Sequence, residues 1–218
     1  MLRTLEPELM EDGEQSLAYA SADFSSSNQW FVGHLVKDHP AALHQVLDIG
    51  CGPCDVMLRL ARACPKTHIT AVDGSAAMIG LAIEAIRVAG LESRVRAIPG
   101  YIPGLPLEDH SFDAVLSKDL LHHLPDPMVL WREARRLGRT GAALYVMDLI
   151  RPASQQEARD IVETVAPHEH EILKQDFYNS LCAAFTVEEV EDQARQVGLR
   201  LEIARISDRH MLIKGKLP

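Results

Sequence analysis

Residues 46–55 read Val46-Leu47-Asp48-Ile49-Gly50-Cys51-Gly52-Pro53-Cys54-Asp55, an apolar run that breaks into a glycine-containing turn. Val46, Leu47 and Ile49 predict a strand buried on both faces. Gly50 and Gly52 predict a turn that a ligand can approach closely, because a side chain at either position would hold the ligand off and narrow the accessible φ. Helical sequence follows over 55–63 and is stopped by Pro65. A second strand, 69–72, then ends at Asp73, about twenty residues beyond the turn, where a carboxylate can accept from both hydroxyls of a ribose. Strand, turn, helix, strand and acid in that order point to an adenosine group.

Outward from this unit, short β-rich runs alternate with longer helical ones, the pattern of a parallel sheet with crossover helices. Further strands are expected at 95–98, 114–116 and 142–147. Helices are expected over 75–89, closed by Gly90, and over 128–137, opened by Asp126 and Pro127. Residues 154–184 read as two helices around Pro167. Thr186-Val187-Glu188-Glu189 is a capping box for another helix, and 199–206 with 210–214 form a closing antiparallel hairpin. Residues 30–37 are expected to be helical, after a start of weak periodicity.

The chain has 218 residues, 47% hydrophobic and 24% charged, which suits one globular domain. Its 22 basic and 31 acidic residues leave a net charge of −9, the wrong sign for following phosphate backbones, so nucleic acid is not an expected partner. The opening residues lack a basic region followed by an apolar run. The apolar helix at 76–89 carries Glu84 and Arg87, so a cytoplasmic protein with no membrane segment is expected. Four cysteines, three of them crowded together, suit reduced thiols rather than a disulfide framework.

The stretch from Val46 to Met147 resembles the class I S-adenosylmethionine-dependent methyltransferases, of the small-molecule type that includes ubiquinone-biosynthesis-like enzymes. Asp48, Gly50 and Gly52 match that family's acid and glycine turn, with Cys54 in place of a third glycine. Ser111-Phe112-Asp113 and Leu121-His122-His123-Leu124-Pro125-Asp126 match its fourth strand and the loop after it. The resemblance implies a Rossmann-like, doubly wound α/β fold with a seven-stranded sheet, mostly parallel with an antiparallel C-terminal hairpin. Its parts would be a helical N-terminal lid (1–40), a cofactor-binding core (41–150), a helical cap insertion (151–198) and the closing hairpin (199–218), all within a single methyltransferase domain.

It also implies a reaction, methyl transfer to a small-molecule acceptor by in-line displacement with release of S-adenosylhomocysteine. S-Adenosylmethionine would be held by Asp48, Gly50, Cys51, Gly52, Asp73, Gly74, Ser75, Met78, Gly100, Tyr101, Ile102, Ser117 and Lys118. Asp73 would take the ribose, while Met78 and the 99–102 segment would lie by the adenine. Tyr19, Asp23, Asp119, Asp148 and Arg151 are the expected acceptor contacts, in a pocket formed by residues 19–28, the loop 117–124 and the 154–185 insertion. His122 or His123, facing the methyl group, would serve as a base, since an imidazole pKa near 6.5 suits neutral pH. The partner is a small molecule, and a homodimer is compatible with the chain.

Rival features are weaker. Cys51-x-x-Cys54 has no second pair at zinc spacing, and His168 and His170 are two apart on a helix, so no metal is expected. Gly50-x-Gly52 with Asp73 also suits an NAD-dependent oxidoreductase, but Asp55 stands where the third glycine of that fingerprint belongs. A non-catalytic sensor of the same cofactor is the third reading.

Overall fold

β1 (Gln45–Ile49), β2 (His68–Asp73), β3 (Val95–Pro99), β4 (Phe112–Lys118) and β5 (Gly138–Leu149) run parallel in the computed structural model. The structure describes residues 1–6, 13, 19–20, 22–39 and 43–218. β6 (Leu201–Arg205) and β7 (His210–Lys216) form the antiparallel hairpin, and β7 pairs with β5. The result is one seven-stranded sheet of order β3-β2-β1-β4-β5-β7-β6, the doubly wound α/β architecture expected from the sequence.

Near-continuous apolar runs arise because both sheet faces are covered. Val46 points into a cluster with Phe31, Met57, Leu60 and Ile79, which come from α1 (Ser25–Asp38), α2 (Asp55–Ala63) and α3 (Ala76–Ala89). Leu47 and Ile49 point the other way, toward Leu130, Trp131 and Val190 from α4 (Met128–Leu137) and α7 (Val187–Gln196). Alternation along β1 thus serves two cores of similar apolarity.

α5 (Gln155–Val165) and α6 (Glu171–Ala183) form the insertion and close a third cluster, in which Ile161, Val162 and Leu181 pack with Leu149. Among the described residues no helix is long and apolar enough to cross a membrane. The expected lid over 1–40 lies partly outside the described residues.

Three elements reach well beyond the sequence reading. α1 begins at Ser25 rather than at residue 30, because the Asp23 carboxylate accepts from the Ser25 N–H at 2.9 Å and a polar start fixes the first turn. β4 and β5 extend beyond their apolar centres, since Phe112 already pairs with Gly138 before a register shift at Ala114.

From β1 the chain winds outward to β2 and β3, then returns across β1 to β4. The switch in winding direction falls between β1 and β4, where the loops leaving the carboxyl ends diverge and open a crevice.

Candidate functional site

That crevice is a cleft of about 580 Å³, within the usual range for small-molecule sites. Its floor is the turn after β1. Gly50 and Cys51 donate to the Val72 carbonyl at 2.8 and 2.9 Å, and Gly52 donates to Asp73 Oδ2 at 2.8 Å, so the turn is pinned to the end of β2. Gly50 (φ +80°), Gly52 (φ +50°) and Cys54 (φ +73°) all adopt left-handed backbone. Cys54 therefore carries, at the N-cap of α2, a conformation that a third glycine would adopt without strain.

The two glycines are needed for different reasons. A Cβ on Gly50 would lie 2.9 Å from Leu120 Cβ, a clash inside the protein. A Cβ on Gly52 would meet nothing nearer than Tyr19 Cε1 at 4.0 Å, so only Gly52 presents bare main chain to an occupant.

Asp73 Oδ1 accepts from the Ser75 N–H at 2.8 Å and the Gly74 N–H also acts on the carboxylate, which still leaves it acceptor capacity for a hydroxyl donor. Burial raises its pKa, and the backbone donors partly counter this. Asp48 is 4% exposed, and burial together with the neighbouring Asp73 charge pushes it up to about 7. Cys51 is not a reactive thiolate, because its hydrogen bond with Cys54 and its burial raise its pKa.

At the β4 side, Lys118 pairs with Asp119 Oδ2. Burial works against ionised Asp119, but Lys118 and His210 prevail and hold its pKa below the ordinary value. Asp119 Oδ1 is buried and accepts no hydrogen bond among the described residues, and the residue itself sits at φ +56°. An unmet acceptor on a strained residue beside a ligand-sized space is a place for a donor or a cation. Tyr19 and Phe24, their rings 4.9 Å apart, form the opposite wall.

Of the residues singled out from sequence, Asp48, Gly50, Cys51, Gly52, Asp73, Gly74, Ser75, Met78, Gly100, Tyr101, Ile102, Lys118, Tyr19, Asp23, Asp119 and His123 all line this one cleft. Four do not. Ser117 is buried and spends its hydroxyl on the Ile49 carbonyl at 2.8 Å, tying β4 to β1. Arg151 is turned toward the Ala184 carbonyl (3.0 Å) and Glu189 (2.6 Å). Asp148 is 1% exposed and accepts from the N–H groups of Leu121 (2.7 Å) and Leu149 (2.8 Å).

His122 is the fourth. It is 3% exposed and its Nδ1 meets Asp148 Oδ1 at 2.7 Å. Burial disfavours its charged form, yet the Asp148 and Glu6 carboxylates outweigh this and raise its pKa. The expected contribution of the 154–185 insertion is also absent, since none of its residues lines the cleft.

Asn28 and Leu120 line the cleft within the expected segments 19–28 and 117–124, but the sequence reading missed the bracket Asn28–Asp55–Arg59. Asn28 Nδ2 and Arg59 Nε both donate to Asp55 Oδ2, at 2.8 and 2.7 Å, and join α1 to α2 across the cleft's rim. Arg59 at four residues from Asp55 was the available signal.

Left-handed bare backbone at Gly52, spare acceptor capacity on Asp73 and an unmet acceptor oxygen on Asp119 suit a nucleoside bearing a cationic tail. Comparison with known proteins agrees. Residues 47–146 match a family model described as a methyltransferase domain. A demethylmenaquinone methyltransferase of Porphyromonas gingivalis is 30% identical over 171 residues, 74% of this chain and 70% of that protein. The chain spans about half the length of other demethylmenaquinone methyltransferases it matches, such as that of Listeria welshimeri. In fold it resembles a putative S-adenosyl-L-methionine-dependent methyltransferase from Methanococcus maripaludis, with TM-score 0.74, 18% identity, and coverage of 99% of this chain and 98% of that one.

Proposed function

This chain belongs to the class I S-adenosylmethionine-dependent methyltransferases, and on that footing we propose how its cleft holds S-adenosylmethionine and presents a small-molecule acceptor. The enzyme transfers a methyl group from S-adenosylmethionine, and family membership removes the nicotinamide alternative. When bound, the cofactor supplies a methyl group on a cationic sulfur, open to displacement from the opposite side.

The single observation that carries the assignment is the Asp73 carboxylate, anchored by Gly52 and Ser75 with acceptor capacity to spare at the floor of the cleft. Asp73 is proposed to accept from the ribose hydroxyls, with Gly74 and Ser75 shaping that turn and Met78, Gly100, Tyr101 and Ile102 bordering the base. The Gly50–Cys51–Gly52 turn with Asp48, Lys118 and Asp119 is proposed for the charged amino-acid end. The acceptor then enters between Tyr19, Asp23 and His123. His123 is the catalytic candidate because it, unlike His122, lines the cleft, and His122 with Asp148 positions the turn that carries it.

Alignment is the larger effect. Well-oriented reactants gain about 7–11 kcal/mol, whereas a general base contributes roughly 10²- to 10⁴-fold in rate. Free thiols at all four cysteines suit a reducing compartment, which supports action in the cytoplasm, and the acidic net charge supports a small molecule rather than nucleic acid as acceptor. The Porphyromonas relative's name supports the same acceptor class. The whole chain is proposed to act as one domain.

Titration calorimetry with S-adenosylmethionine tests the site. Wild type is expected to bind and Asp73→Ala to lose about 100-fold or more in affinity, given roughly 1.5–3 kcal/mol for each hydrogen bond to a charged group. Unchanged affinity in that variant would refute the assignment. Production of S-adenosylhomocysteine across a panel of small acceptors then identifies the acceptor class.

A further inference from the structure

The first six residues are strapped across the far side of the 3-10 turn Leu121–His123. The Met1 amine donates to the Ala153 carbonyl at 2.8 Å and the Thr4 N–H to the Cys182 carbonyl at 3.0 Å. Arg3 donates to the carbonyls of Ala183 (2.5 Å), His122 (2.8 Å) and Leu124 (3.0 Å), its guanidinium 3.9 Å from the centre of the Phe185 ring. This strap delivers the Glu6 side chain, 9% exposed, to the two adjacent histidines.

Glu6 Oε1 lies 3.6 Å from His122 Nε2 and 3.2 Å from His123 Nδ1, and the three atoms fall within 4.8 Å of one another. Oε1 is buried and accepts no hydrogen bond among the described residues, while Oε2 accepts from the Ser180 hydroxyl at 3.3 Å. On the other side of His122, Asp148 Oδ1 at 2.7 Å accepts from Nδ1–H, so in the neutral ring the Nε2 lone pair faces Glu6. Two lone-pair atoms facing each other at 3.6 Å are too far apart to share a proton well.

We propose that Glu6, His122 and His123 form a three-ligand site for a zinc-type divalent cation, clamping the N-terminal strap to the turn that borders the cleft. Ligands held about 2.0–2.1 Å from tetrahedral zinc stand about 3.3 Å from each other, and the two distances to Glu6 bracket that value. Two imidazoles and one carboxylate favour zinc or a similar transition metal over magnesium or calcium, which prefer oxygen. The outer partners are also in place, with Asp148 behind His122 and Ser180 behind Glu6, the carboxylate–histidine–metal arrangement that fixes the ligating ring. Doubly protonated His122 is the competing occupant of the same charge balance. His123 is the one residue shared with the cleft, so the ion would stand beside the acceptor end and, held on Nδ1, would keep the proton on His123 Nε2; the base role proposed for His123 therefore belongs to the metal-free protein.

Full-length, tag-free protein is stripped with a chelator and titrated with zinc by calorimetry and with cobalt(II) by visible absorption. The expected result is one ion per chain, cobalt d–d bands without a thiolate charge-transfer band, and at least tenfold weaker zinc binding in Glu6→Gln and in His123→Ala. Zinc should raise the Tm of wild type and leave that of Glu6→Gln unmoved. Equal zinc affinity in wild type and folded Glu6→Gln, or a thiolate band placing cobalt on the cysteines, overturns the proposal. Neither outcome touches the methyl-transfer reading, because S-adenosylmethionine affinity is measured separately on metal-free protein.

Discussion

Asp48 and Asp73 reach the cleft from neighbouring strands, yet only Asp73 is anchored by backbone donors from the glycine turn and the α3 N-cap. Asp48, pushed up to about 7, exchanges its proton near neutrality. A cation bound beside it favours the ionised form. S-Adenosylmethionine affinity is therefore expected to rise about tenfold between pH 6 and 8 in wild type and to stay flat in Asp48→Asn, as read by calorimetry across that range. Stability runs the opposite way. A carboxyl whose folded pKa is raised favours the folded state below its unfolded value near 3.9, and that contribution is lost as pH climbs through about 7. Ligand-free Asp48→Asn is thus expected to melt at a higher temperature than wild type at pH 8. Both aspartates were legible, because Asp48 interrupts the apolar run two residues before Gly50 and Asp73 ends the next strand about twenty residues beyond the turn. The division between His122 and His123 was not, since two neighbours in one 3-10 turn differ only through Asp148 and Glu6, which the sequence does not bring near them.

Helix ends show how far local sequence carries. The capping box at Thr186 forms as read, with the Glu189 N–H donating to the Thr186 hydroxyl at 3.3 Å and Glu189 Oε2 accepting from the Thr186 N–H at 2.9 Å. Glu189 Oε1, however, also holds Arg151, which is why that arginine is drawn away from the cleft. Thr186→Ala is expected to cost about 1 kcal/mol, or about 2–4 °C in Tm by calorimetry. A second device had no such local signature. Buried Glu133 on α4 accepts from the N–H groups of Gly104 (3.2 Å) and Leu105 (2.8 Å), and its partner Arg136 donates to the Leu105 and Leu107 carbonyls. The segment leaving β3, which carries Gly100 to Ile102 past the cleft, is held from behind in this way. Burial alone would raise the Glu133 pKa, but Arg136 and the backbone donors lower it, so its stabilisation is present above the unfolded pKa near 4.3 and is lost as pH falls through the folded value. Glu133→Gln should melt below wild type at pH 7, and the gap should close in thermal scans taken toward pH 3.

For the molecule as a whole, the order of elements was enough to specify the sheet, because periodicity and glycine turns encode which runs are strands and crossover chirality does the rest. What escaped was packing between distant segments. The 154–185 insertion carries aromatic and polar residues that suit a pocket wall, but its apolar side closes a separate cluster on Leu149 and leaves the cleft to α1 and the β4 loop. Tethering through Arg3 is equally invisible in sequence, since a lone arginine reveals nothing about carbonyls nearly 120 positions away. Arg3→Ala is expected to speed amide exchange across residues 121–124 by at least tenfold, read by mass spectrometry.

Leu120 fills the space that a methyl group on Gly50 would need, so the strand-end turn and the β4 loop fit together as a key fits one lock. Neither side of that fit can be enlarged independently. Gly50→Ala should fail, and Leu120→Ala should not rescue it because the Cβ of residue 120 stays 2.9 Å from the new methyl. Gly50→Ala with Leu120→Gly should recover only in part because φ +80° stays strained, so any lineage that widens this enzyme's mouth for a bulkier acceptor must trade both positions at once.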